Sequence, residues 1–231
     1  MNKQAQKELL EIVKRNYDKI AADFSETRKK YLWPELIKLT KIVKNGDKIL
    51  DAGCGNGRLL KAFAGKGIEY LGVDDSKELI NIAREQYPEQ RFYQGNILEL
   101  GKISEAEFDF VFCVAVLHHL PGQNLRIVAL KQLKNKVKPD GKIIITVWNL
   151  WSQKKFQKLI LKFLLLKLIR KNIMDVGDII FNWKNSQGEQ KGKRYYHAFY
   201  KKEIKKIIKK AGLKIEKLYK DQYNYYIIIK R

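Results

Sequence analysis

The run Asp51-Ala52-Gly53-Cys54-Gly55-Asn56-Gly57 sets three glycines at alternate positions between a buried-strand pattern and a helical one. Glycine tolerates positive φ and lets the backbone approach a ligand closely, so such a turn either cradles a ligand or simply reverses the chain tightly. The flanking sequence defines the fold that carries it. Asp47–Ala52 (DKILDA) reads as a buried strand, and Leu59–Ala64 opens a helical pattern. Ile68–Val73 is a second strand, ending at Asp74-Asp75. Ser76 then caps a helix to about Tyr87, with Pro88 just past its end. Arg91–Gln94 is a short third strand. Phe108–Val114 is a fourth, a near-continuous apolar run of the kind found where both sheet faces are covered. A helix over 124–137 is stopped by Pro139-Asp140-Gly141, and Lys142–Trp148 follows as a fifth strand. Helix 201–211 and strands Leu213–Tyr219 and Tyr225–Lys230 complete the pattern. Strands alternating with helices imply parallel pairing and right-handed crossovers. No internal repeat or low-complexity linker interrupts them. One doubly wound α/β domain is expected over 1–231, with a helical lead-in at 5–43 and a lid-like insertion at 150–193 that borders the substrate.

With 45% hydrophobic and 31% charged residues, the chain is too apolar for a disordered tail. Its two cysteines, Cys54 and Cys113, make neither a disulfide framework nor a four-ligand zinc site, and no metal site is expected. Met1–Asn16 has no apolar run of the signal-peptide kind. The greasiest stretch, Phe156–Ile169, is interrupted by Lys162 and Lys167 and falls short of the ~20 apolar residues that span a bilayer. A cytoplasmic protein is expected. The net charge of +22 is uneven: residues 1–150 carry 25 basic and 19 acidic side chains, residues 151–231 carry 22 and 6. A general lysine bias would raise both parts together. The last third is therefore where a polyanion would bind.

The glycine turn also narrows the ligand. Its spacing is G-x-G-x-G, an acidic residue precedes it, and no G-K-[ST] follows, so a triphosphate grip is absent. A carboxylate at that place repels pyrophosphate but suits a cofactor bearing an ammonium and a sulfonium, S-adenosylmethionine. Asp51, Gly53, Cys54, Gly55 and Gly57 would surround it. Asp74, 23 residues after Asp51, can accept from both ribose hydroxyls, with Asp75 beside it. Asn96 can bond the adenine amino group, and the Ile97 N–H a ring nitrogen. Cys113 and Ala115, at the end of the fourth strand, border the same ligand, the two cysteines as small packing residues.

DAGCGNG, GVDDS, the Gly95-Asn96 pair and FDFVFCVAVLHHL resemble, in order and spacing, the motifs of class I S-adenosylmethionine-dependent methyltransferases. The resemblance implies a Rossmann-like, doubly wound seven-stranded sheet of order 3-2-1-4-5-7-6, the last strand antiparallel. The flanks are more particular. Tyr17–Pro34 (YDKIAADFSETRKKYLWP), residues 178–200 (DIIFNWKNSQGEQKGKRYYHAFY) and 221–229 (DQYNYYIII) resemble the eukaryotic tRNA wobble-uridine methyltransferases that esterify a 5-carboxymethyl group, and the methyltransferase domain of the AlkB-like tRNA enzyme. Departures lie near the acceptor: Asn149-Leu150-Trp151-Ser152-Gln153 after the fifth strand, Asn182 in place of a proline, Tyr225 in place of a tryptophan, and one extra residue between Arg28 and Trp33.

The resemblance implies a tRNA partner and a small zinc-binding activator. A carboxylate acceptor is ionised at neutral pH, with a pKa near ~4, so methyl transfer needs alignment and no general base. Arg28 and Arg194 are candidates to clamp the carboxylate. Tyr195, Tyr196, His197 and Trp148 are candidates to stack on or bond an extruded base, and His118 or His119 to face the acceptor. Each has a structural alternative. Tyr195 and Tyr196 point opposite ways in an extended chain, so one of them at most reaches the substrate. The basic, apolar segment 154–171 (KKFQKLILKFLLLKLIRK) fits a lid helix, a peripheral membrane contact, or an RNA- or partner-facing helix. Lys201–Lys210 keeps Ile204, Ile207 and Ile208 on one face beneath a basic surface. Two rival functions stay open: a methyltransferase for a small-molecule or lipid-linked acceptor, and a cofactor-binding regulatory subunit without turnover.

Overall fold

Strand β1 (Lys48–Ala52) buries Ile49, Leu50 and Ala52 almost completely, which places it at the centre of a sheet covered on both faces. The computed structural model describes residues 1–27, 32–169, 171–184 and 187–231. Arg28, one of the proposed clamps, lies outside them. Around β1 stand β2 (Glu69–Asp74), β3 (Arg91–Gln94), β4 (Phe108–Val114), β5 (Val137–Trp148), β8 (Lys214–Lys220) and β9 (Asn224–Lys230), in the order β3-β2-β1-β4-β5-β9-β8. The first five are parallel, and β9 runs antiparallel to both neighbours. With the two-stranded hairpin β6 (Asp178–Lys184) and β7 (Gln190–His197) set apart, this is the expected seven-stranded order.

Both layers follow from helical spacing of apolar residues. On one face, α4 (Gln123–Lys136) buries Ala129, Leu130 and Leu133, and α6 (Lys201–Lys210) buries Ile204, Ile207 and Ile208. The other face is covered by α2 (Pro34–Thr40) through Leu36 and Leu39, and by α3 (Lys77–Gln86) through Ile80 and Ala83. Each such fully buried leucine or isoleucine stabilises the fold by roughly 1.5–3 kcal/mol. Ser76 caps α3 as the sequence implies, its Oγ accepting from Leu79 N at 3.3 Å.

Three expectations need correction. Residues Arg58–Phe63 form a 3₁₀ turn instead of an α-helix, closed by a left-handed Gly65. Strand β5 starts at Val137, five residues early, because Pro139-Asp140-Gly141 forms an irregularity within the strand: Val137 pairs with Phe108, and Lys142 with Phe110. Finally, the insertion carries the β6–β7 hairpin after α5 (Lys154–Leu168), where no strand was foreseen. The long α1 (Lys3–Thr27) packs against β7 and α3. Among the described residues, no helix is long and apolar enough to cross a membrane.

Candidate active site

The carboxyl ends of β1, β2, β4 and β5 open on a cavity of about 700 Å³, roofed by α1 and flanked by the β6–β7 hairpin. That volume lies within the range of small-ligand pockets, and the crevice at the strand ends is where open α/β sheets bind ligands.

One lobe is the glycine turn. Asp51, at the end of β1, is buried. Its Oδ2 accepts from Tyr70 Oη at 2.8 Å, while Oδ1 has no hydrogen-bond partner among the described residues. Burial pushes this carboxyl up to about 7, although the bond from Tyr70 works the other way. Asp74 accepts from Gly55 N at 2.8 Å and from Ser76 N at 3.0 Å. Burial pushes it up to about 6, opposed by those same two N–H groups. Gly53, Gly55 and Gly57 all have positive φ, and a Cβ on Gly53 would meet Val116 at 2.2 Å. Only glycine fits there. Cys54 lines the cavity, whereas Cys113, expected to border the ligand, is fully buried and, like Gly57, does not line it; burial pushes both thiols up. Ala115, at φ 59°, is kept in the left-handed region by bonds from its N–H to Thr146. Asn96 is already engaged: its oxygen caps the following turn at Leu98 N, and its amide donates to Asp75. Asp75 also pairs with Lys14 at 3.2 Å, and Ser76 Oγ donates to Asp18, so α1 is tied down over this lobe.

The second lobe is aromatic and cationic. His118, fully buried, has Trp148 N donating to its Nδ1 at 3.4 Å, which leaves the proton on Nε2. That nitrogen has no hydrogen-bond partner among the described residues. Burial, and then the nearby His119, His197 and Arg194, hold the ring neutral. His119 sits between Tyr17 Oη at 2.9 Å and the Tyr195 carbonyl at 3.4 Å, and burial pushes it down to about 3. Arg194, from β7, lies 4.7 Å from the Trp183 ring centre and 5.8 Å from that of Tyr17. It donates to Tyr196 Oη at 3.1 Å, and its buried Nε has no partner among the described residues. Tyr196 and Trp148 pack at 4.8 Å beside it. Trp33, Tyr223 and Asn224 close the far wall.

Strand alternation sorts the R-Y-Y-H run. Arg194 and Tyr196 line the cavity, whereas Tyr195 and His197 face away from it. Those two, expected to position the acceptor, belong instead to a buried polar network. Tyr195 Oη donates to Asp178 at 2.8 Å, His197 lies 2.6 Å from Asp178 and 2.9 Å from Glu203, and Arg126 reaches both acids. The network joins α4, α6 and the hairpin. Sequence reasoning did not assign Tyr17 and Trp183, because their roles come from tertiary contacts. The lid expectation also changes, since no residue of α5 lines the cavity. Phe156 of α5 instead backs its wall behind Trp148 and Phe181.

The Methyltransferase domain family model matches residues 50–145, the stretch holding the glycine turn, Asp74 and the histidine pair. A putative methyltransferase of Encephalitozoon cuniculi is 30% identical over 88% of this chain and 87% of its own length. The chain belongs to the class I S-adenosylmethionine-dependent methyltransferases. Another relative of this methyltransferase, the tRNA (carboxymethyluridine(34)-5-O)-methyltransferase of Schizosaccharomyces pombe, is 29% identical over 96% of both chains. The tRNA methyltransferase ALKBH8 of Mus musculus is 30% identical over 67% of this chain, which spans only 23% of that longer protein. Among solved structures, an S-adenosylmethionine-dependent methyltransferase of Methanosarcina mazei superposes with a TM-score of 0.68 at 20% identity, covering 87% and 99% of the two chains. A chain from the complex between the Haloferax volcanii Trm112 methyltransferase activator and a putative methyltransferase gives 0.65 at 16%, covering 94% and 96%.

The enzyme's cofactor is S-adenosylmethionine, and the first lobe fits it. Asp51 Oδ1 is a buried acceptor without a hydrogen-bond partner among the described residues, and a buried Asp51 beside a half-buried Asp74 favours a cationic ligand over a phosphate.

Proposed function

We propose that this methyltransferase esterifies the carboxymethyl group of a modified wobble uridine in tRNA. When bound, the cofactor supplies an electrophilic methyl group on sulfur. Asp51 and the backbone of Gly53–Gly57 would hold its amino-acid end, Asp74 its ribose, and Asn96 and Ile97 the adenine side. The observation that carries the acceptor assignment is Arg194, a buried guanidinium beside Trp183 and Tyr17 whose Nε–H has no partner among the described residues. A planar cation so placed suits a carboxylate, and the surrounding rings suit an unstacked base. His118, neutral and with an Nε2–H that has no partner among the described residues, can bond the carboxylate oxygen that does not attack. No side chain needs to remove a proton, because the acceptor is already ionised. Proximity and orientation then supply the rate. Arg28 belongs to the same reading through its place in the lead-in motif.

The activities of the Schizosaccharomyces pombe and Mus musculus relatives support this reading. It brings with it a cytoplasmic location, tRNA as partner, and a small zinc-binding activator; a methyltransferase activator is solved in complex with the Haloferax volcanii putative methyltransferase. It is tested by offering labelled methyl donor and the enzyme, with and without such an activator, to RNA, lipid and small-molecule fractions from cells lacking this gene. Label in tRNA is expected. Label confined to lipid or small molecules overturns the acceptor and leaves the cofactor lobe standing.

A further inference from the structure

Helix α5 packs by one face only. Phe156 and Ile160 are buried against the hairpin and Leu150, with Leu159 and Phe163 half-buried beside them. The opposite face is open. Along it run Lys154, Lys155, Lys158 and Lys162, all exposed, and then Leu161 (53% exposed), Leu165 (62%), Leu168 (71%) and Ile169 (61%). Ile173 (64%) and Val176 (52%), in the segment that follows, extend the apolar end. Six of the twelve large hydrophobic side chains that are exposed among the described residues thus fall between 161 and 176. A soluble surface scatters such residues singly, so a cluster marks a contact site. No Asp or Glu occurs between Trp151 and Met174.

We propose that this face is a docking surface for an anionic lipid bilayer, with the leucines entering the headgroup boundary and the lysines contacting the phosphates. Three occupants compete, and charge separates them. A second copy of this chain on a two-fold axis would bring four lysines against four others. An RNA backbone would satisfy the lysines and leave the apolar end in water. A bilayer of anionic lipid takes both, as interfacial helices with basic and apolar surfaces do. The helix lies flat on such a surface, since it is too short and too charged to cross one. The surface does not depend on the tRNA reading, because none of α5 lines the cavity.

The test is vesicle co-sedimentation of the full chain. It compares phosphatidylcholine alone with phosphatidylcholine containing about a third phosphatidylserine, which sets a surface potential of physiological order. The chain should pellet with the anionic vesicles and scarcely with the neutral ones. Leu165→Glu with Leu168→Glu should lower binding about tenfold or more, as the loss of two inserted side chains implies. These are exposed positions, so folding should persist, and unchanged cofactor affinity verifies it. Because the whole chain is basic, Lys205→Glu with Lys209→Glu on α6 is the control. If it lowers binding as much as the α5 variant, the attraction is diffuse charge and the proposal fails. An environment-sensitive dye on L165C, with Cys54 and Cys113 buried and unreactive, should shift to the blue on anionic vesicles. No shift, or a shift caused only by tRNA or by self-association, overturns it.

Discussion

Asp51 is a buried carboxylate whose Oδ1 has no partner among the described residues, and burial lifts its titration to about 7. The unfolded chain releases that proton near ~4. Between the two values the folded apoprotein holds a proton that the unfolded chain does not, so apoprotein stability falls as pH rises through about 7. A cationic cofactor has the opposite preference. Its affinity should therefore rise from pH 6 to pH 8, with a proton released on binding. Calorimetry in two buffers of different ionisation heat checks this, and zero release would contradict the Asp51 assignment. Asp51→Asn should raise the apoprotein's melting temperature and flatten that pH dependence while weakening affinity. The acceptor lobe gives a second expectation. His118 and His119 are both held neutral by burial, so the turnover–pH profile should show no histidine step between pH 6 and 8. Arg194→Lys should cut turnover by about tenfold or more through loss of the planar fork, with cofactor affinity unchanged. An equal loss of both would make Arg194 structural. The glycine turn and its acids were legible because positive φ and buried charge are local demands on sequence. Tyr195 and His197 were misplaced because alternation along a strand fixes parity but not which face meets the cavity. Tyr17 acts across a helix interface that no local pattern encodes.

At the scale of elements, the sheet and its covering helices were readable, since apolar runs and i, i+3, i+4 spacing carry their own burial. The β6–β7 hairpin was not. Its strands alternate poorly, and it is held by non-local contacts: α1 along β7, and the buried Arg126, Asp178, His197 and Glu203 network. Burial alone would raise Glu203, but the bonds from His197 and the charge of Arg126 leave it below the usual carboxylate range. That network holds the hairpin that presents Arg194 to the cavity, with Trp183 packed against its guanidinium. Asp178→Ala would leave Arg126 and His197 with Glu203 as their remaining acid and Tyr195 Oη without its acceptor, at a cost of about 1–3 kcal/mol. Urea unfolding should show that loss. A variant as stable as the parent would mean the hairpin is anchored elsewhere, by the α1 contact or by Phe156 behind it.

Across the whole molecule, charge and cavity divide the labour. Residues 151–231 carry 22 basic side chains against 6 acidic ones, and the exposed face of α6 alone presents Lys201, Lys202, Lys205, Lys206, Lys209 and Lys210. If this surface follows a phosphate backbone, tRNA affinity should fall steeply with salt, and Lys205→Glu with Lys209→Glu should reduce the slope of log affinity against log salt by about 2. A slope near zero in the parent would remove nucleic acid as the partner. Composition made that asymmetry plain from the outset, whereas the acceptor lobe needed the fold to bring α1, the histidine pair and the hairpin together. The most direct measurement presents the enzyme, with and without an activator protein, and labelled methyl donor with one tRNA in two forms. One carries a carboxymethyl group on the wobble uridine, and the other an unmodified uridine. Nucleoside mass spectrometry should find an alkali-labile methyl ester in the first form alone. Label in neither form, or equal label in both, would contradict the account.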